Sequence, residues 1–162
     1  MLWAGITSNH LLGPYFFDGT VNQDSYLRMI NEWLVPQLRA RGILDTVILQ
    51  QDGAPPHFAL SVRRRLNELL PDRWIGRGSA NCPSPMPWPP RSPDLTTADN
   101  ALWGFIKEEV RKQRYVTNDE LREGVRAAFG RVTPEMLRRM SKRTWRRIKL
   151  CRDHGGMHTD VW

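Results

Sequence analysis

The sequence has 162 residues, 40% hydrophobic and 25% charged, an ordinary globular composition that excludes collagen, low-complexity chains and wholesale disorder. A chain of this size is expected to form a single domain over 1–162 that buries about two thirds of the surface its unfolded form exposes. The net charge of +7 has a location: residues 1–104 carry nine basic and nine acidic side chains, whereas residues 105–162 carry fifteen against eight. A cationic C-terminal region on a neutral body suits a polyanion, nucleic acid being the commonest, although a solvated helix face has the same composition.

Two short aromatic or apolar runs, Leu2-Trp3-Ala4-Gly5-Ile6 and Gly13-Pro14-Tyr15-Phe16-Phe17, stand apart by polar residues and predict an antiparallel pair of strands. Between positions 22 and 41 the residues Tyr26, Met29, Ile30, Trp33, Leu34 and Leu38 recur every three to four places, the stripe of an amphipathic helix with Gly42 as its stop. Pro36 interrupts that stripe and predicts a kink or an early end. Thr46-Val47-Ile48-Leu49-Gln50 is β-branched and almost continuously apolar, which predicts a strand buried on both faces.

Ala59, Val62, Leu66, Leu69 and Leu70 restore helical spacing, with Arg63-Arg64-Arg65 expected to face mostly away from the core and Pro71 to end the element. Trp74-Ile75 has the length of an edge strand, and the proline-rich segment 76–97 predicts an extended loop, a kind of segment that often carries function. Helix resumes near Ala98 with Leu102, Trp103, Phe105 and Ile106. Thr117-Asn118-Asp119-Glu120 has the capping-box spacing, with Leu121, Val125, Ala128 and Phe129 as the apolar face behind it. Thr133-Pro134 opens a last helix over 133–152, whose seam of Leu137, Met140, Thr144, Ile148 and Cys151 stands opposite Arg139, Lys142, Arg143, Arg146 and Arg147. Trp33, Trp103 and Trp145 fall on or beside these stripes and are expected in the core; Trp88 suits either a DNA contact or an anchor for its loop.

Cys82 and Cys151 lack the spacing of a zinc site, which points away from disulfide scaffolds and toward a reducing compartment. No run approaches the roughly 18 apolar residues that span a bilayer, so a soluble, non-secreted chain is expected. Asp52 stands where the strand 46–50 stops and a Gly-Ala-Pro-Pro turn begins, a position suited to hold a metal in a cleft or to accept the amides of its own turn. Asp94 and Asp99 bracket the entry to the helix near Ala98, and local chemistry gives the N-cap reading to Asp94. His57 reads as a turn residue, and Gly155-Gly156 argue against His154 and His158 as a metal pair.

Gln50-Gln51-Asp52-Gly53-Ala54-Pro55-Pro56-His57, then Trp74-Ile75-Gly76-Arg77, then Trp88-Pro89-Pro90-Arg91-Ser92-Pro93-Asp94-Leu95 and Asp99-x-x-Leu102-Trp103-Gly104-x-x-Lys107 resemble the catalytic core of mariner-like transposases of the DDE superfamily. Trp3 to Thr20 resembles the preceding hairpin and Cys151-x-x-His154-Gly155-Gly156-x-His158 the C-terminus, so nearly the whole chain takes part. The resemblance implies an α/β, ribonuclease-H-like fold, a mixed sheet with flanking helices, in which three carboxylates bind Mg²⁺ or Mn²⁺ for cleavage and joining of DNA. Position by position it makes Asp52 the second carboxylate and Asp99 the third, both catalytic and metal-binding, with Asp94 outside the triad. The family's first carboxylate lies on a strand before the hairpin at which this sequence begins, so a chain inactive by itself is expected. Thr97-Ala98 stand where the family usually has a proline, and Asn81 to Pro87 reads as an insertion in the loop between the two acids.

DNA is the expected partner, contacted by Arg91, Arg139, Lys142, Arg143, Arg146 and Arg147, with a homodimer as the candidate assembly, no membrane partner and the nucleus as the expected compartment. The alternative is a non-catalytic DNA-binding module, a relic of a transposon that keeps only the basic surface; a purely structural remnant is a third reading.

Overall fold

Asn22 decides where the first helix begins: its Oδ1 accepts from the amides of Asp24 at 3.0 Å and Ser25 at 2.9 Å, and Ser25 Oγ accepts from the Asn22 amide at 2.9 Å. The computed structural model describes residues 1–89 and 92–157, which fall into two compact units, one of residue 1 with 17–91 and one of residues 2–16 with those from 92 onward.

In the first unit, helix α1 (Gln23–Arg28) runs through a π-helical turn (Met29–Leu34) into α2 (Val35–Ala40). The helix therefore passes Pro36 without ending. A proline has no N–H for the ladder and its ring crowds the preceding turn, and the wider π turn lies immediately upstream of it. Gly42, at φ +65°, supplies the left-handed residue that stops α2, its amide reaching Arg39 O at 2.9 Å while the Ile43 amide reaches Leu38 O at 3.0 Å.

The strand predicted at 46–50 is reduced to β3 (Leu49–Gln50), because residues 43–47 turn back through amides of Thr46 and Val47 on Ile43 O. Ile48 is 53% exposed, so the segment is not buried on both faces. After α3 (Pro55–Phe58) and α4 (Leu60–Leu69) comes β4 (Trp74–Gly76), which is the central strand of a parallel sheet ordered β3-β4-β5, with β5 at Met86–Pro87. Trp74 is fully buried and its indole N–H donates to Asn67 Oδ1 at 2.7 Å, and the pairing of β5 beyond it makes β4 central where an edge strand was expected. The proline-rich residues after β4 carry β5 at the sheet edge, where Pro87 costs no ladder bond. Tyr26, Met29, Ile30, Leu34 and Leu38 are buried, as are Val62 and Leu66 of α4.

The second unit holds the antiparallel pair β1 (Leu2–Ile6) and β2 (Leu11–Phe16), with Leu2 opposite Phe16 and Ile6 opposite Leu11. A 3₁₀ turn (Pro93–Leu95) and a π turn (Ala98–Leu102) lead into α5 (Trp103–Arg111), followed by α6 (Asn118–Gly130) and α7 (Pro134–Asp153). Thr117 and Glu120 form the capping box expected from their spacing. Leu102, Ile106, Val125, Ala128 and Phe129 make the core, covered by Leu2, Ile6 and Phe16 of the hairpin and by Met140 of α7. Leu121, predicted on the apolar face of α6, is 39% exposed at the helix start, one turn before that face meets its neighbours. Antiparallel and parallel pairing in small sheets with flanking helices make this the expected mixed α/β class. Among the described residues no helix is long and apolar enough to cross a membrane.

Candidate functional site

The Gln51 amide donates to Ile75 O at 2.9 Å, so the last bond of β3 on β4 delivers the next residue, Asp52, at the C-terminal end of the parallel sheet. Two neighbours hold the Asp52 carboxylate. The Ala54 amide donates to Oδ1 at 3.0 Å, and His57 Nδ1, in the short helix α3, lies 2.6 Å from the same oxygen. The hydrogen bond from His57 and then that from Ala54 outweigh partial burial and hold Asp52 below the ordinary carboxylate range, so it is ionised at neutral pH. The turn reading of Asp52 is realised, since Oδ1 closes its own turn, while Oδ2 accepts no hydrogen bond among the described residues and the side chain is 57% exposed.

A buried network fixes this corner. Tyr26 Oη donates to Gln51 Oε1 at 3.1 Å, Gln51 Nε2 donates to His57 O at 3.1 Å, and the Tyr26 and His57 rings stand 4.4 Å apart between centroids. Tyr26 was not recognisable as a site residue because it falls on the apolar stripe of α1, and Gln51, although it stands in the motif beside Asp52, gave no sign of its bonds to Tyr26 and His57. His57 is more than a turn residue, since it is the partner that orients Asp52. Gly53 lets Arg77 lie close: a Cβ there would stand 3.1 Å from Arg77 Cδ, and Arg77 continues over the Phe58 ring at 4.3 Å. Arg63 covers the other part of that aromatic group at 4.5 Å. It is buried rather than facing away, donating from Nε to Phe58 O at 2.9 Å and from Nη1 to Ser79 Oγ at 2.7 Å and Cys82 O at 2.6 Å.

In the second unit Asp99 is an exposed residue in the π turn before α5. The N-cap there is Thr97, without a side-chain cap bond, and Asp94 lies in the 3₁₀ turn instead; a proline at 93 already sets that turn. Asn100, next to Asp99, ties this entry to α7: its Nδ2 donates to Asp94 O at 3.0 Å and Thr144 Oγ1 at 3.1 Å. Of the basic residues expected to bind nucleic acid, Arg139, Lys142, Arg143 and Arg146 are exposed on α7. Arg147 is half-buried and donates to Asp94 O at 3.4 Å, because it follows Thr144 by three residues and so flanks the seam. Arg91 and His158 lie outside the described residues. Trp145, expected in the core, is 59% exposed.

An ionised carboxylate oxygen open to solvent fits a hard divalent cation, which takes one or two protein carboxylates and keeps its remaining positions for water or phosphate. Among the described residues no three histidine, cysteine, aspartate or glutamate side chains gather around one point.

The structure is similar to that described as Mos1 transposase catalytic domain and raltegravir with Mn, with a TM-score of 0.69 and 23% identity over 93% of this chain and 70% of that one. The chain has the fold of the Mos1 transposase catalytic domain. A Mos1 transposase paired-end complex with left transposon end matches with a TM-score of 0.72 and 22% identity over 97% of this chain, and a Mos1 mariner paired-end complex with Mn with 0.68 and 23% over 93%. This chain spans 44% and 40% of the chains in those complexes. No protein-family model and no curated protein matches the sequence. At these identities the Mos1 likeness is one of fold, and it agrees with the ribonuclease-H-like architecture that the motifs imply.

Proposed function

We propose that the chain is the core of a mariner-like DDE transposase, acting on DNA by metal-dependent phosphoryl transfer, with Asp52 and Asp99 as its metal-binding carboxylates. The observation that carries this reading is the Asp52 carboxylate, ionised and exposed beyond the end of β3 and braced by His57 and Ala54, in a fold shared with a transposase catalytic domain. Mg²⁺ or Mn²⁺ held there would polarise a phosphate oxygen and lower the pKa of bound water. Asp52 would bind through Oδ2, since Oδ1 is taken by the turn. His57 and Gln51 would keep the carboxylate aimed, and the basic face of α7 would hold the DNA backbone. Mn in the Mos1 structures and DNA ends in the paired-end complex support the choice of metal and partner. A homodimer and a nuclear location belong to the same proposal.

These 162 residues supply two of the three carboxylates the resemblance calls for, so the polypeptide by itself is expected to bind DNA without nicking it in Mg²⁺ or Mn²⁺. Nicking that disappears in Asp52→Asn would show that another acid, Asp18 being the first to test, completes the set. The second reading, a DNA-binding module without catalysis, rests on the basic face of α7, which needs no metal to meet a polyanion. Joining the polypeptide to an upstream segment bearing a carboxylate strand separates the two: metal-dependent cleavage that needs Asp52 and Asp99 supports the enzyme, and DNA binding with no cleavage supports the module.

A further inference from the structure

Helix α7 contains eight basic and two acidic residues, which accounts for a net +6 of the chain's +7. In the middle of that helix stands a tryptophan. Trp145 is 59% exposed, and Lys149, one turn later, places its ammonium 5.6 Å from the ring centre. Arg138, Lys142, Trp145, Lys149 and Arg152 follow one another at spacings of three and four, so they form one stripe along the exposed surface. The seam of Leu137, Thr144 and Ile148 lies about a quarter turn away, and the core it serves is closed without Trp145.

A large aromatic ring left in water needs an occupant that tolerates cations on either side of it. Protein interface cores are depleted of lysine, which argues against a second protein on this stripe. A nucleic-acid strand meets both demands: its phosphates pair with the flanking cations while a base lies on the ring. In an intact duplex the base faces are covered by their neighbours, so only an unpaired or frayed base can stack on Trp145.

We propose that Trp145 is a stacking platform for unpaired bases, flanked by the phosphate-binding stripe of Arg138, Lys142, Lys149 and Arg152, and that α7 thereby prefers single-stranded or frayed DNA to intact duplex. The inference rests on the DNA-binding reading above and deepens it, by naming the form of DNA that the basic helix selects.

The test compares an oligothymidine of about 16 nucleotides, the upper site size of compact single-strand binders, with a blunt duplex of the same length. Fluorescence anisotropy is read against salt for the wild type, Trp145→Ala, Trp145→Phe and the charge variant Arg138→Ala/Lys149→Ala. Trp145→Ala is expected to weaken oligothymidine binding by about five- to a hundred-fold, the range of one base stacked on an aromatic ring. It should leave the salt slope and the duplex affinity unchanged, because stacking releases no counterions. Trp145→Phe should retain most of the affinity, and the charge variant should lower the salt slope on both substrates. An equal loss on duplex and single strand, or no loss on either, overturns the inference while leaving DNA binding intact. Self-association of the wild type that vanishes in Trp145→Ala also overturns it, by showing a second copy on the ring. Wild-type protein that binds neither substrate removes the DNA-binding reading itself.

Discussion

Replacing Arg63 by alanine is expected to be among the most damaging single changes in the first unit. The guanidinium donates to Phe58 O, Ser79 Oγ and Cys82 O, so it joins α4 to α3 and to the loop that follows β4. Hydrogen bonds from a charged donor contribute about 1.5 to 3 kcal/mol each. Part of that sum is offset by the cost of holding a cation out of water, and the two carbonyls left behind recover some hydration once the side chain is gone. A net loss of about 3 kcal/mol follows. For a chain of this size that lowers Tm by about 6 to 12 °C, read by thermal unfolding followed by circular dichroism. Arg64→Ala, one residue on and exposed, should change stability by less than about 0.5 kcal/mol. An Arg63→Ala protein within about 1 kcal/mol of wild type would refute the reasoning, because it would mean that the three acceptors are satisfied without Arg63.

Thr144→Val removes the hydroxyl that accepts from Asn100 Nδ2 and donates to Met140 O, and should cost about 1 to 2 kcal/mol in urea unfolding; no loss would show that the 94–100 entry does not depend on α7. Lys142→Ala/Arg143→Ala/Arg146→Ala should lower the slope of log K against log salt on duplex DNA by about three, one for each phosphate that no longer meets a cation, and an unchanged slope would make that face a merely solvated one. Lys112 and then Arg131 hydrogen-bond the Glu109 carboxylate and hold it below its ordinary value of 4.5. A carboxylate depressed in this way stabilises the fold above its unfolded-state pKa and loses that contribution as pH falls through the folded value. The Tm difference between wild type and Glu109→Gln should therefore be greatest above about pH 5 and shrink in more acidic buffer, and a difference independent of pH would contradict it.

Helix starts were legible because their signals are local. Thr117 and Glu120 satisfy each other's amides, and Thr133 accepts the Met136 amide while Pro134 has no N–H to satisfy, all within one turn. The Asp52 turn was legible for the same reason, as a carboxylate two residues before an amide it can reach. What escaped the sequence depends on partners far along the chain. Arg63 reads as a surface residue until Ser79 and Cys82 supply its acceptors, and Trp74 reads as an edge residue until β5 pairs beyond it. Ile48 and Trp145 failed in the opposite direction: an apolar residue at strand or helix spacing signals burial only if another element arrives to cover it. His57 and Gln51 were visible in the motif, yet their task of aiming Asp52 follows from where α3 returns toward β3.

The central proposal is that Asp52 and Asp99 are metal-binding carboxylates. Mn²⁺ binding, followed by the loss of the free-ion signal in electron paramagnetic resonance, tests it most directly with the wild type, Asp52→Asn and Asp99→Asn. Each single substitution should weaken binding by at least about ten-fold, the loss seen even when a supporting partner of a ligand is removed. Asp94→Asn should bind as the wild type does. Unchanged affinity in Asp52→Asn or Asp99→Asn would contradict the assignment of that residue as a metal ligand.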